Sequence, residues 1–201
     1  MGRPHLFGAL LALGIACAPA PPGGEGRDPA APPSSARPSV VVVSLDTLRA
    51  DRLGCYGDER GLTPNLDRFA AEALLFENAF SQSNNTVQSH ASLFTSRYPS
   101  ELCRLGPAYR LGAGSPPTLA EVLSAYGYQA GAFVAGGHLD PSFGLDAGFQ
   151  EYAAPAQWGS LYHTWPLALK WLDRVDPARP TFLFLHGYDT HARYVKPTPF
   201  G

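Results

Sequence analysis

The sequence predicts an α/β fold: a mostly parallel β-sheet covered by helices on both faces. Residues 40–45 read VVVVSL, a continuous apolar run typical of a strand buried on both faces of such a sheet. Further short apolar runs then alternate with helical patterns, as βαβ units require. Of the 201 residues, 45% are hydrophobic and 16% are charged, which is enough apolar material for one substantial core.

The first half of the chain carries three more structural signals. Thr63 and Pro64 suit the N-cap and first position of a helix. Residues 74–80 predict a second strand, which leads into the polar turn before Thr86. Thr118 and Glu121 predict a capping box, with a helix running to residue 126.

The second half predicts two strands and one helix. Residues 128–134 and residues 181–185 predict strands, and the latter strand ends at His186. Between them, residues 161–174 predict an amphipathic helix. Its predicted apolar side comprises Leu161, Trp165, Leu169 and Leu172.

Polar side chains collect where predicted strands end. Asp46 follows the first strand, Thr86 follows the second, and His186, Asp189 and His191 follow the last. Because parallel strands place their carboxyl ends along one edge, these groups are expected to converge there. Two simpler interpretations stay open, namely that Asp46 caps a turn and that Thr86 caps a helix without any chemistry.

The N-terminal residues predict export. Residues 1–17, MGRPHLFGALLALGIAC, place Arg3 and His5 before a short apolar run, as a signal peptide does. Cys17 and the Pro/Gly/Ala-rich residues 18–38 fit a lipidated cysteine with a flexible linker. We expect a periplasmic or outer-membrane-anchored bacterial lipoprotein, with cleavage and release as the alternative.

Charge and cysteine content narrow the range of partners. The net charge of −2 gives no basic surface, so nucleic acid is not expected, and only a lipid on Cys17 would contact a membrane. Cys55 and Cys103 would pair in an oxidising compartment, or Cys55 would be a small buried residue. The pattern does not determine the oligomeric state.

Several ordered motifs resemble one family. The segments SLDTLRADRLGCYG, TPNLDRFAAEALLFENAFSQS, HASLFTSRYPSE, GYQAGAFV, GLDAGFQEY and FLFLHGYDTHARY resemble the N-terminal half of the sulfatase family, in the alkaline phosphatase superfamily. The resemblance covers residues 39–201 and implies the N-terminal portion of an alkaline phosphatase-like catalytic domain. It further implies an anionic ester substrate and one or two divalent cations (Ca²⁺, Mn²⁺ or Zn²⁺).

The resemblance also implies roles for individual residues. Asp46 corresponds to a metal ligand, and Thr86 stands at the position of the nucleophile. His90 helps to hold the transferred group, while His191 resembles the histidine that contacts the oxyanion or assists the leaving group. The predicted catalytic residues are therefore Thr86, His191 and His90, and the predicted metal ligands are Asp46, Thr47 and Thr86.

The chain departs from the family pattern at several of these positions. Sulfatases carry Cys or Ser within C/S-x-P-x-R and oxidise it to formylglycine, whereas here Thr86 is followed by Gln88 and His90 in place of Pro and Arg. No formylglycine is expected, because threonine cannot give that aldehyde. A metal-activated threonine instead resembles the phosphotransferase and phosphoesterase branches. Thr47 replaces a second acid, and the lysine that normally follows GY is missing.

These features predict a metal-dependent hydrolase of sulfate or phosphate esters. Two alternatives stay open: a non-catalytic surface lipoprotein that keeps the fold as a binding module, and a phospho-group transferase of the cell envelope. The family supplies further metal ligands from a segment beyond Gly201, so we expect a truncated domain with an incomplete site. His186 is predicted to be a packed, hydrogen-bonded core residue, and the aromatic residues of 152–171 are predicted to be packing residues.

Overall fold

A computed structural model describes residues 37–102 and 110–192. Within them, four parallel strands form one sheet in the order β1-β4-β2-β3, which confirms the predicted fold class. The predicted leader, nearly all of the linker, Cys17 and Cys103 lie outside the described residues. The strands are β1 Val40–Leu45, β2 Gln129–Phe133, β3 Glu151–Ala153 and β4 Thr181–Gly187.

Helices lie on both faces of this sheet. Thr118 and Glu121 form the predicted capping box of the fourth helix, with both reciprocal hydrogen bonds present. None of the helices in the described ranges is long and apolar enough to cross a membrane. The helices are α1 Pro64–Ala71, α2 Thr86–Thr95, α3 Pro99–Leu102, α4 Leu119–Ala125 and α5 Leu161–Leu172.

Side chains alternate between the two faces of the sheet along β1, and this alternation determines on which side Ser44 and Asp46 lie. Val41 and Val43 pack into the core that α5 covers, together with Ala168 and Trp171. The opposite face packs against α2 and α4, and successive residues point to opposite faces. Ser44 therefore points toward α2, and the chain delivers Asp46 to the same side just beyond the strand.

The predicted burial of β1 needs a correction. Its four valines are half-buried, because within the described residues β1 pairs only with β4 and forms an edge of the sheet. The fully buried strand is β4, which lies between β1 and β2. An unbroken apolar run indicates a sheet strand but cannot distinguish a central from an edge position.

The strand predicted over residues 74–80 is wrong. These residues form turns and irregular structure, and Leu74, Phe76 and Phe80 are exposed. A strand requires a neighbour for its backbone N–H and C=O groups, and the described residues provide none here. Instead, the Tyr56 hydroxyl donates a hydrogen bond to the Phe76 carbonyl at 2.8 Å.

The apolar side predicted for α5 is also partly wrong. Trp165 and Leu169 are exposed, whereas Thr164, Ala168 and Trp171 are buried against the sheet. The buried face lies along these three positions, which are three or four residues apart. Small Thr164 and Ala168 allow the helix to approach the sheet closely, so residue size rather than hydropathy selects the buried face.

Candidate active site

Thr86 presents its hydroxyl at the start of α2 and is not the cap of that helix. Asn85 is the N-cap, and its Oδ1 accepts a hydrogen bond from the Val87 N–H at 3.1 Å. The Thr86 hydroxyl is therefore not needed for capping. It donates a hydrogen bond to Oδ2 of Asp46 at 3.0 Å. Asp46 and Thr86 therefore meet as predicted, although Thr86 comes from the start of α2 and not from the end of the strand that was predicted before it.

The turn that carries Asp46 is fixed to the end of β4. The Asp46 N–H donates to the Gly187 carbonyl at 3.0 Å, and the Thr190 hydroxyl donates to the Asp46 carbonyl at 2.7 Å. In return, the Thr47 hydroxyl donates to the Thr190 carbonyl at 2.9 Å. Thr47 has φ 59°, a left-handed conformation that is unfavourable for a β-branched residue. The hydrogen bonds of the Thr47 and Thr190 hydroxyls keep the turn in this conformation.

The Asp46 carboxylate is held ionised. Burial alone would raise its pKa, but the close polar contact and charge of His186 and the hydrogen bond from the Thr86 hydroxyl together bring the pKa below its usual value. His186 is fully buried, and its Nε2 lies 3.5 Å from Oδ2 of Asp46. Neither ring nitrogen of His186 makes a hydrogen bond of ordinary geometry, so His186 is packed as predicted but not hydrogen-bonded as predicted.

His90 supports the backbone of Thr86. Its Nδ1 lies 2.8 Å from the Thr86 carbonyl oxygen and its Nε2 lies 2.9 Å from the Ser44 hydroxyl. A carbonyl only accepts, so Nδ1 carries the proton and Nε2 accepts from Ser44. Burial, followed by the charge of nearby His186, lowers the pKa of His90 to about 4. His90 is therefore a neutral residue that positions the first turn of α2.

This neutral state predicts a pH-dependent stability. Between pH 6.5 and about 4 the unfolded chain protonates His90 and the folded chain does not, so the free energy of unfolding should fall as pH falls. The expected loss attributable to His90 is up to about 3 kcal/mol. Urea unfolding of the metal-free protein at several pH values measures it. In His90→Gln this component should disappear, and an unchanged pH profile in that variant would contradict the assignment.

His191 lies at the same sheet edge as Asp46 and Thr86 but bonds to other residues. Its main-chain N–H donates to the Tyr188 carbonyl at 3.0 Å, and its ring contacts those of Tyr188 and Trp158. Within the described ranges, no hydrogen bond joins His191 to Asp46 or Thr86. Asp189 has a structural task, because its Oδ2 accepts from the first N–H of α5, that of Leu161, at 2.9 Å.

A cleft of about 710 Å³ opens beside Asp46 and Thr86. Asp46 and Thr86 line it together with further residues of α2 and of the segment that follows this helix, as far as Tyr98. Arg49 and Arg97 also line the cleft, and each forms an ion pair with a neighbouring acidic side chain. The N-terminus of α2 at the cleft favours an anionic ligand.

The described residues supply one side of a metal site. Asp46 offers an ionised carboxylate and Thr86 a hydroxyl oxygen, which are hard donors of the kind that divalent cations bind. Thr47 directs its hydroxyl to Thr190 instead. Within residues 37–102 and 110–192, no group of three or more His, Cys, Asp or Glu has metal-binding geometry. The donors present are thus suitable in kind but fewer than a complete site requires.

The sequence analysis did not predict the residues that hold Asp46 and Thr86 in place. Ser44, Tyr188 and Thr190 carry hydrogen bonds around the site, and none was predicted to belong to it. One signal was available for Ser44, because it precedes Asp46 by two residues and therefore shares its face. Cys55 is a half-buried free thiol, partly as predicted.

Comparison with solved structures identifies the fold. A protein solved in complex with its substrate D-glucosamine-2-N,6-O-disulfate matches with TM-score 0.66 and 21% identity, over 79% of this chain and 36% of that one. A phosphonate monoester hydrolase from Agrobacterium radiobacter matches with TM-score 0.63 and 20% identity, over 81% and 43%. A Vibrio parahaemolyticus protein of the alkaline phosphatase superfamily has TM-score 0.61 and 21% identity, over 86% and 47%. The fold is that of the alkaline phosphatase superfamily.

The sulfatase family model matches residues 38–200, and the chain belongs to the sulfatase family. Human iduronate 2-sulfatase is 36% identical over 92 residues, which are 45% of this chain and 16% of that protein. Human arylsulfatase A is 37% identical over 99 residues, which are 47% and 20% of the two chains. The matched region spans at most a fifth of these curated relatives.

Proposed function

We propose that the protein is a metal-dependent hydrolase of phosphate or sulfate esters in which Thr86 is the nucleophile. One observation carries the proposal: the Thr86 hydroxyl, at the first position of α2, donates to Oδ2 of Asp46 at 3.0 Å beside an open cleft. A hydroxyl next to an ionised carboxylate and a helix N-terminus is arranged for attack on an anionic ester.

The proposed reaction has two displacements. Thr86 Oγ1 forms a bond to the phosphorus or sulfur while the bond to the ester oxygen breaks, and the alcohol leaves on the opposite side. Water then attacks the covalent intermediate and releases inorganic phosphate or sulfate together with free Thr86. A divalent cation held by Asp46 and Thr86 would supply the positive charge that lowers the pKa of the Thr86 hydroxyl.

Residues around Thr86 hold it in position for attack. The Thr86 carbonyl accepts from Nδ1 of His90 at 2.8 Å and from the Ser89 hydroxyl at 3.1 Å. Two donors on one carbonyl fix the peptide that bears the nucleophile. His191 is proposed to assist the departing alcohol, since it lies at the same sheet edge beside Tyr188.

The choice between phosphate and sulfate rests on the nucleophile. Thr86 cannot become a formylglycine hydrate, and the residues after it, Gln88 and His90, differ from the Pro and Arg of the sulfatase pattern. A plain alkoxide nucleophile favours phosphate esters, so we propose that aryl phosphates turn over faster than aryl sulfates.

Chelation tests the proposal. Removing divalent cations with EDTA should abolish turnover of aryl phosphate, and adding back Ca²⁺, Mn²⁺ or Zn²⁺ one at a time should restore it with at least one of them. Release of the aryl alcohol is the measurement. Full activity after exhaustive chelation would contradict metal dependence.

A binding module that keeps the fold is the second candidate. The single carboxylate beside Thr86 in the described part of the chain favours it, because one such ligand holds a divalent cation weakly. The two candidates separate in calorimetry. A hydrolase should bind Mn²⁺ or Zn²⁺ and release the aryl alcohol from aryl phosphate. A binding module should bind aryl phosphate and leave it intact, and it should not bind the metal.

A further inference from the structure

His186 is a fully buried imidazole to which the described residues give no hydrogen bond of ordinary geometry at either ring nitrogen. Burying polar nitrogen atoms without a partner is costly, and buried polar groups normally have one. Phe182 and Phe184 occupy the same face of β4 and pack into the core without this cost. Packing alone therefore does not explain a histidine at this position.

The Nε2 atom of His186 faces the carboxylate of Asp46, with 3.5 Å between Nε2 and Oδ2. A carboxylate only accepts, so Nε2 carries the proton in this contact. The distance is longer than that of an ordinary hydrogen bond, but the attraction persists in a buried place where water does not screen it. The rings of Tyr188 and His90 meet the imidazole edge-on at 4.6 and 5.2 Å and fix its orientation.

One oxygen of the Asp46 carboxylate receives both polar contacts. The Thr86 hydroxyl of α2 donates to Oδ2 at 3.0 Å, and His186 of β4 approaches the same atom. Within residues 37–102 and 110–192, Oδ1 accepts no hydrogen bond. A carboxylate held at one oxygen from two elements keeps its other oxygen in a constant position, and Asp46 lines the cleft.

We propose that His186 is a positioning residue for Asp46, which holds Oδ2 and thereby keeps Oδ1 available to a divalent cation. Carboxylates that bind metals are themselves held by hydrogen bonds from residues behind them, and loss of such a residue weakens metal binding. The inference rests on the proposed function. In that reaction an esterified Thr86 has no hydroxyl proton, because the departing alcohol takes it up, so among the described residues His186 is the donor that remains at Oδ2.

Calorimetric titration of the chelated protein with Mn²⁺ tests this inference. His186→Met removes the donor and should weaken Mn²⁺ binding roughly tenfold or more. His186→Gln has nearly the shape of the methionine variant but carries an amide N–H in place of Nε2, so it should retain most of the affinity. Phe182→Leu is the control, because it disturbs the core on the same face of β4 and should leave Mn²⁺ affinity unchanged.

Urea unfolding without any metal provides a second, independent measurement. The effect of His186→Met on the unfolding equilibrium constant should differ at least about fivefold between the parent and an Asp46→Ala background, because the contact exists only in the former. Additive effects of the two substitutions would overturn the inference. Parent-like Mn²⁺ affinity in His186→Met, or equal affinities of the methionine and glutamine variants, would overturn it as well.

The outcomes separate this inference from the proposed function. Metal-dependent turnover with Mn²⁺ binding that is indifferent to His186 would overturn the positioning role alone. Mn²⁺ binding that depends on His186, together with full turnover in Thr86→Ala, would overturn only the nucleophile assignment. A parent protein that binds no divalent cation would overturn both.

Discussion

Thr86→Ala is expected to lower the turnover of an aryl phosphate by roughly 10³-fold or more, because it removes the atom that we propose as the nucleophile. The fold should persist, since Asn85, not Thr86, caps α2. Initial rates with aryl phosphate and aryl sulfate esters measure the effect. Unchanged rates with both esters would exclude Thr86 as the nucleophile.

Two variants serve as controls for that experiment. Thr86→Ser keeps a hydroxyl at the same position and should retain measurable activity. Asn85→Ala removes the helix cap and should cost about 1 kcal/mol of stability while leaving the hydroxyl in place. A loss in Asn85→Ala as large as that in Thr86→Ala would attribute the effect to the helix start instead of the hydroxyl.

Asp46→Asn is expected to weaken binding of divalent cations at least about tenfold and to lower turnover roughly 10²- to 10³-fold. The amide has the shape of the carboxylate and still accepts a hydrogen bond from Thr86, but it carries no charge. Calorimetric titration with Mn²⁺ or Zn²⁺ and initial rates with aryl phosphate measure the two effects together.

Asp189→Asn is the matched substitution at the same sheet edge. Asp189 caps α5 through the Leu161 N–H, so its amide variant should keep metal affinity and turnover near those of the parent. If the two variants bind cations with the same affinity as the parent, Asp46 is not a metal ligand and the proposed mechanism loses its carboxylate.

The sequence predicted the sheet well where local signals were strong. β1, β2 and β4 each contain a compact apolar run, and the capping box before α4 is a local pattern. It missed β3, because three residues are too few for periodicity to show. Residues 74–80 have strand-like composition, but strand formation depends on a pairing partner that composition does not reveal.

The candidate site was predicted only in its central pair. Asp46 was predicted from its place at the end of β1. Thr86 was predicted from the end of a strand over residues 74–80 that does not form, and it reaches Asp46 from the start of α2 instead. Their supports could not be predicted, because the contacts of Ser44 with His90 and of Thr190 with Asp46 join residues far apart in sequence.

Trapping the covalent intermediate tests the central claim most directly. Aryl phosphate is mixed with the metal-loaded protein, the reaction is quenched in acid within the first turnover, and the peptide that contains Thr86 is analysed by mass spectrometry. The account predicts a gain of one phosphoryl group on Thr86 that is absent from Thr86→Ala. Rapid product release with Thr86 unmodified at every quench time, and equal turnover in Thr86→Ala, would contradict it.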